Sequence, residues 1–397
     1  MQSNIGRFVG WLLLLLSLVD CSKTPSSTPI PLAFIDEAQV AEFPGIRQWG
    51  ESPPGAGESA PRLGSTNVGA QAPLNVLAFS AGGANGAFGA GFLTGWTQTG
   101  TRPVFHVVTG VSIGALLAPL AFLGTQYDTA ISRMLIDLSG KYRVTLRPRF
   151  GAVFGFSLAS AVPLEKLIDE YFDKRVLDEI AANHRAGRRL YVGTSHVYAG
   201  RLTVWDMGAI ASSGRPEALA LFRRVLLAST AVPTLLPPIT FEVDARGQSY
   251  QELHVDGGIM RQAFVAPYGF DWNRAKERLG IIGDINFYVI RNGRVSSEYM
   301  VMPPDVISLT QHAMLQLTQA VGIGNLDSLY LQAQAEHAQF HAAWIDESFE
   351  APSIELYDSK YVQALFEHGR VQALSASAWH RLPPGMATPS ARLRAKR

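Results

Sequence analysis

Residues 74–91 read LNVLAFSAGGANGAFGAG, and residues 106–114 read HVVTGVSIG. Each stretch begins with a short apolar run, Leu74–Phe79 and His106–Thr109, of the length and composition of a buried parallel strand. Each run ends in a glycine-bearing turn and passes into a segment that reads as a helix, around Ala87–Thr97 in the first case and Ile113–Phe122 in the second. Pro119 lies inside the second helix and is expected to shorten or kink it. Working outward, the alternation continues. A helix starts at Pro163 and spans 163–183. Leu190–Thr194 and Leu202–Trp205 read as strands. Pro216–Ser229 is helical, with Pro216 in a favoured first-turn position. Leu253–Val255 and Asn286–Ile290 are further strands, and residues 305–345 are mostly helical. There is no internal repeat. Strands alternating with helices predict an α/β fold with a sheet covered on both faces.

Composition agrees with a large folded domain. Of 397 residues, 47% are hydrophobic and 17% charged, which supplies a sizeable core and excludes wholesale disorder. A formal net charge of +1, without internal basic runs, argues against nucleic acid as the main partner. One cysteine excludes a disulfide framework, a Cys-rich zinc site and a CxxC redox motif.

The ends read differently. Residues 1–21 are MQSNIGRFVGWLLLLLSLVDC, with Arg7 the only charge before the apolar run Phe8–Val19. As helix that run spans about 18 Å, short of the roughly 30 Å of a bilayer core, and so reads as an export signal. Leu18-Val19-Asp20-Cys21 resembles the lipobox of bacterial lipoproteins. Leu18 and Val19 fit; Asp20 stands where a small residue is expected. Lipidation of Cys21 is the expectation, with an uncleaved anchor as the alternative. This places the protein at the membrane, on the periplasmic or cell-envelope side of a bacterium. Residues 22–72 hold seven Pro, six Gly and six Ser and read as a tether. The catalytic domain is expected over 73–382, followed by a basic tail, 383–397.

Three constellations carry chemistry. Gly110-Val111-Ser112-Ile113-Gly114 fits GxSxG, after a strand and before a helix, the setting of a nucleophile elbow. Such a turn forces the serine into strained backbone angles, and the helix that follows aims its positive end at the site. Ser80–Gly91 is a glycine-rich loop directly after the first strand. It lacks GxxxxGK[ST], and its glycines at 82, 83, 86, 89 and 91 never satisfy GxGxxG, so neither nucleotide reading holds. An oxyanion hole remains, with close packing as the alternative, which suits Gly89 and Gly91 better than Gly82 and Gly83. The third is His254-Val255-Asp256-Gly257-Gly258. Asp-Gly is a common hairpin signal, but a serine nucleophile needs a base, and a carboxylate at a strand end can supply one.

Together the three resemble the patatin-like phospholipases over roughly residues 73–370. Tyr191–Ser195, Gly200–Trp205 and Leu227–Pro238 (LLASTAVPTLLP) are also similar to family segments. The resemblance implies a three-layer α/β/α fold with a mostly parallel central sheet, and lipid acyl hydrolysis by a Ser–Asp dyad. Ser112 would be the nucleophile and Asp256 the general base. Gly110, Gly114, Gly257 and Gly258 would support the two turns. Ala81, Gly82, Gly83 and the Asn85 side chain would serve the oxyanion. Neither metal nor cofactor is required, and the partner would be a phospholipid or other acyl-ester lipid at a membrane surface. Where the family has DGGGxRG, Ser80 replaces the Asp, Ala81 the first Gly and Asn85 the Arg. Two other readings stay open. One is an α/β-hydrolase triad, whose histidine would be sought among His312, His337, His341, His368 and His380; His254 shares a strand face with Asp256 and reads as a core or rim residue. The other is a non-catalytic lipid-binding lipoprotein.

Overall fold

The computed structural model describes residues 28–51, 72–143, 157–296, 301–352 and 358–386. Cys21, the export-signal segment before it and the tail beyond residue 386 lie outside the described residues. The strands are β1 (Gln39–Val40), β2 (Arg47–Trp49), β3 (Leu74–Phe79), β4 (Val107–Val111), β5 (Arg189–His196), β6 (Arg201–Asp206), β7 (Ile239–Ala245), β8 (Gln248–Asp256), β9 (Ile285–Arg291) and β10 (Gln339–Trp344). The helices are α1 (Gly86–Gln98), α2 (Ile113–Leu123), α3 (Asp128–Ser139), α4 (Val162–Tyr171), α5 (Lys174–Arg185), α6 (Met207–Ser212), α7 (Ala218–Ser229), α8 (Trp272–Leu279), α9 (Val306–Ala335) and α10 (Ser359–Ala373).

The ten strands form one mixed sheet. Its centre, β10-β9-β3-β4-β5, is parallel. Beyond β5 the pairing turns antiparallel, through β6 to β2 and through β8 and β7 to β1. Alternation along β3 shows the layers: Leu77 and Phe79 join a core shared with α1, α2 and α7, while Leu74, Val76 and Ala78 join a second core with α8 and α9. Helices thus cover both faces, as expected.

The register of β5 brings distant segments together. Residues 191–193 pair with both β4 and β6, and residues 194–196 with both β8 and β6. A strand has two edges, so β4 and β8 must share the edge opposite β6, end to end. Val111 partners Gly193 and Asp256 partners Thr194, in successive slots. The residue after β4 is Ser112, and it therefore emerges beside Asp256.

Several expectations are corrected. The helix expected over 163–183 is two, broken at Phe172–Asp173, where the Asp173 side chain accepts the Val176 N–H and caps α5. Residues 305–345 are not all helical: α9 stops at Ala335, and the apolar run in 339–344 becomes β10, parallel to β9. Pro119 does not shorten α2, which runs to Leu123 with every residue buried; that burial outweighs a local cost of about 3 kcal/mol.

Residues 28–51, expected within a tether, are folded onto the domain. β1 and β2 extend the sheet, and Ile30, Ile35, Val40, Phe43 and Ile46 are buried in the core. Arg47 on β2 holds both carboxylate oxygens of Glu252, which is fully buried on β8. Burial alone would raise the Glu252 pKa; hydrogen bonds from His196, His254 and Arg47 outweigh it and hold the carboxyl far below its usual range. A buried carboxylate without its partner is costly, so Arg47 fastens this segment to β8.

Candidate active site

Ser112 occupies the sharp turn between β4 and α2 with φ 56° and ψ −126°, angles that an L-residue adopts only under strain. The strain expected from the sequence is there, and both motif glycines are needed to permit it. A Cβ on Gly110 would lie 2.3 Å from the Gly114 carbonyl oxygen, and one on Gly114 would lie 2.6 Å from that of Phe79. Ser112 is buried, and its hydroxyl donates to Asp256 Oδ2 at 2.5 Å. The first helical N–H groups of α2 face this turn, a positive end beside the serine oxygen.

Asp256 ends β8. Its Oδ1 accepts the Gly258 N–H at 2.7 Å, its own N–H donates to the Ala231 carbonyl at 2.9 Å, and its carbonyl accepts from the Ser195 hydroxyl. Burial pushes its carboxyl up to about 6, against the opposing pull of the Ser112 and Gly258 hydrogen bonds. Gly257 passes over the Gly193 carbonyl, which a Cβ would approach to 2.3 Å, and a Cβ on Gly258 would meet Ala81 Cβ at 2.9 Å. The Asp-Gly-Gly turn is therefore not a hairpin tip but the end of a strand pressed against the elbow.

The glycine loop lies against both halves of this pair. The N–H groups of Gly82 and Gly83 find no acceptor among the described residues. Gly83 has φ +56°, and a Cβ on Gly82 would stand 2.1 Å from the Asn292 carbonyl oxygen. One expected donor is corrected. The Ala81 N–H is engaged by the Gln262 carbonyl at 2.9 Å. The Asn85 N–H closes the turn onto the Gly82 carbonyl and its side-chain oxygen accepts from the Tyr361 hydroxyl at 2.6 Å; neither bond engages the side-chain NH₂, the donor expected to serve the oxyanion. Available backbone donors are therefore those of Gly82, Gly83 and, at the start of α2, Ile113.

Residues 77–267 match the family model of patatin-like phospholipases. This stretch, a little under half of the chain, is similar to that family. Among solved structures it is similar to VipD from Legionella pneumophila, at 14% identity over 79% of this chain and 70% of that one, with a TM-score of 0.34. That likeness is too slight to carry an argument. No curated protein matches the chain.

Sequence reasoning missed the supports of this site. Asn292, directly after β9, donates its side-chain amide to the Ser80 carbonyl, accepts the Gly89 N–H on its side-chain oxygen, and donates its own backbone N–H to the Ser80 hydroxyl oxygen. Ser80, in the place of the family Asp, thus anchors the glycine loop to β9. Gln262 bonds the Gly258 carbonyl and is itself held by Asn325 of α9. Only Arg291-Asn292-Gly293 hinted at a turn there.

None of the described histidines hydrogen-bonds to Ser112 or Asp256. His254 is fully buried and bonds Thr194 at 2.8 Å; His341 meets Arg381, His368 faces Asp346, and His380 stacks on Trp344. His196, Glu252 and His254 offer potential metal-ligand atoms within 4.8 Å of one another, but Arg47 already holds both Glu252 oxygens and supplies the charge a cation would bring. A cavity of about 510 Å³ lined by Tyr330, Gln334, His337 and Arg381 contains neither Ser112 nor Asp256. Among the described residues no helix is long and apolar enough to cross a membrane.

Proposed function

We propose that this domain hydrolyses acyl esters of lipids through an acyl-enzyme on Ser112, with Asp256 as general base. The observation that carries the reading is the hydrogen bond from the strained, buried Ser112 to the buried Asp256 carboxylate. Asp256 takes the hydroxyl proton as the Ser112 oxygen attacks the ester carbon. The negative charge on the carbonyl oxygen falls to the free N–H groups of Gly82, Gly83 and Ile113, each such donor being worth about 2.7–4 kcal/mol in comparable sites. The proton passes from Asp256 to the departing alcohol oxygen, leaving an acyl ester on Ser112. Water, deprotonated by Asp256, attacks that ester, releasing the fatty acid and restoring the serine. The dyad, with no histidine beside it, supports the patatin-like reading over the triad.

An ordinary aspartate with a pKa near about 4 is a poor base. Raised to about 6, Asp256 is a better one and still ionised at neutral pH. The kcat/KM for an acyl ester is expected to rise about tenfold per pH unit up to about 6 and then level off. A profile flat from about pH 4 to pH 8 would move the base elsewhere.

We also propose that Cys21 is lipidated and holds the domain at a bilayer, since two buried acyl chains suffice for stable attachment. The exported protein should then carry a lipidated N-terminal Cys21 and fractionate with membranes, and Cys21→Ser should release it. An intact Met1 with an unmodified Cys21 would refute this.

A further inference from the structure

The segment Ser229–Ala231 touches both members of the dyad. The Ser229 hydroxyl accepts the Ser112 N–H at 2.9 Å and donates to the Gly193 carbonyl at 2.7 Å. Two residues on, the Ala231 carbonyl accepts the Asp256 N–H at 2.9 Å. Ser229 ends α7, is fully buried, and belongs to neither β4 nor β8. A buried N–H and a buried carbonyl both depend on its single hydroxyl, because no water reaches a fully enclosed site freely and each polar group there needs a partner.

We infer that Ser229 is a positioning residue, which holds Ser112 in its strained conformation and, with Ala231, sets the spacing between nucleophile and base. The inference rests on the proposed dyad. The Ser112 N–H lies in the peptide plane from which the serine's φ is measured, and Ser229 fixes that plane. The same bond withdraws the Ser112 N–H from the oxyanion, which leaves the charge to Gly82, Gly83 and Ile113. Gly193 completes the clamp. Its carbonyl receives the Ser229 proton, and its close approach to Gly257 requires a residue without a side chain there. One rigid path, Ser112–Ser229–Gly193–Gly257, thus runs from the nucleophile to the residue after the base.

Ser229→Ala removes the acceptor and leaves the Ser112 N–H and Gly193 carbonyl unpaired. Misplacing a nucleophile by about 1 Å costs on the order of 10²-fold in rate, so kcat is expected to fall by about that factor. KM should stay within about twofold, because no contact with substrate is lost. The ascending pH limb should remain, moved upward as Ser112 draws away, because the Ser112 hydrogen bond is one of the two that pull the Asp256 carboxyl down. Ser229→Cys, whose thiol is a weak donor and acceptor, should recover part of kcat. Circular dichroism and a thermal melt establish that the variants are folded at the assay temperature. A folded Ser229→Ala with kcat within about threefold of the parent overturns the inference; so does a loss expressed in KM alone. If the parent protein neither turns over acyl esters nor reacts with a fluorophosphonate, the dyad reading itself fails, and the inference with it.

Discussion

Replacing Ser112 by alanine is expected to lower acyl-ester turnover by at least about 10⁴-fold, with the fold retained. Alanine removes one oxygen and nothing else from a turn that is already shaped by Gly110 and Gly114. The side chain's single hydrogen bond, to Asp256 Oδ2, is lost with it. At neutral pH that leaves an ionised carboxylate with one donor, the Gly258 N–H, instead of two, so the Asp256 pKa should rise further. Steady-state hydrolysis of an acyl ester and of a phospholipid, beside a thermal melt, checks both statements. Residual turnover within about tenfold of the parent would remove Ser112 from the chemistry.

Asp256→Asn is the second large effect. The shape is preserved, but the two carboxylate oxygens serve two donors, Ser112 and Gly258. An amide offers one oxygen, so one of these donors must face an NH₂ group or turn away. No group remains to take the serine proton, and a fall of about 10²- to 10⁴-fold in kcat is expected, the range of a lost general base. The pH dependence of stability gives an independent reading. A folded pKa raised to about 6 means that the folded state favours the protonated form. Asp256 therefore contributes stability that is fully present below its unfolded pKa of about 4 and is lost as pH rises through about 6. Activity runs the other way, because only the ionised form is a base. The parent should lose stability across that window while gaining rate; Asp256→Asn should show neither change near 6. Equal pH dependence in both proteins would assign the titration to another group.

What the sequence revealed, it revealed through local backbone demands. GxSxG and Asp-Gly-Gly announce themselves because particular turns require glycine at particular positions, and Gly114 and Gly257 do meet carbonyl oxygens that exclude a Cβ. Leu74–Phe79 was legible as a strand because five of its six residues are apolar, and all six are buried. The supports were not legible. Ser229 and Asn292 act on residues 117 and 212 positions away, and a serine or asparagine in isolation carries no sign of its partner. Nor was the folding of residues 28–51. Its buried Ile30, Ile35, Phe43 and Ile46 are spaced irregularly among Pro and Gly, because the segment docks through separate contacts rather than along one helix face or strand. The oxyanion donors fell between these cases. The glycines were evident, but that the Ala81 N–H is taken while those of Gly82 and Gly83 stay free depends on Gln262, far along the chain.

The most direct test is covalent. A fluorophosphonate ester requires an activated hydroxyl and oxyanion donors together, and it marks the atom that attacks. The account predicts a single adduct, placed by peptide mass spectrometry on Ser112, whose formation rate rises with pH up to about 6 and collapses in Asp256→Asn. An adduct on any other serine, or a folded protein that takes up no label, would contradict it.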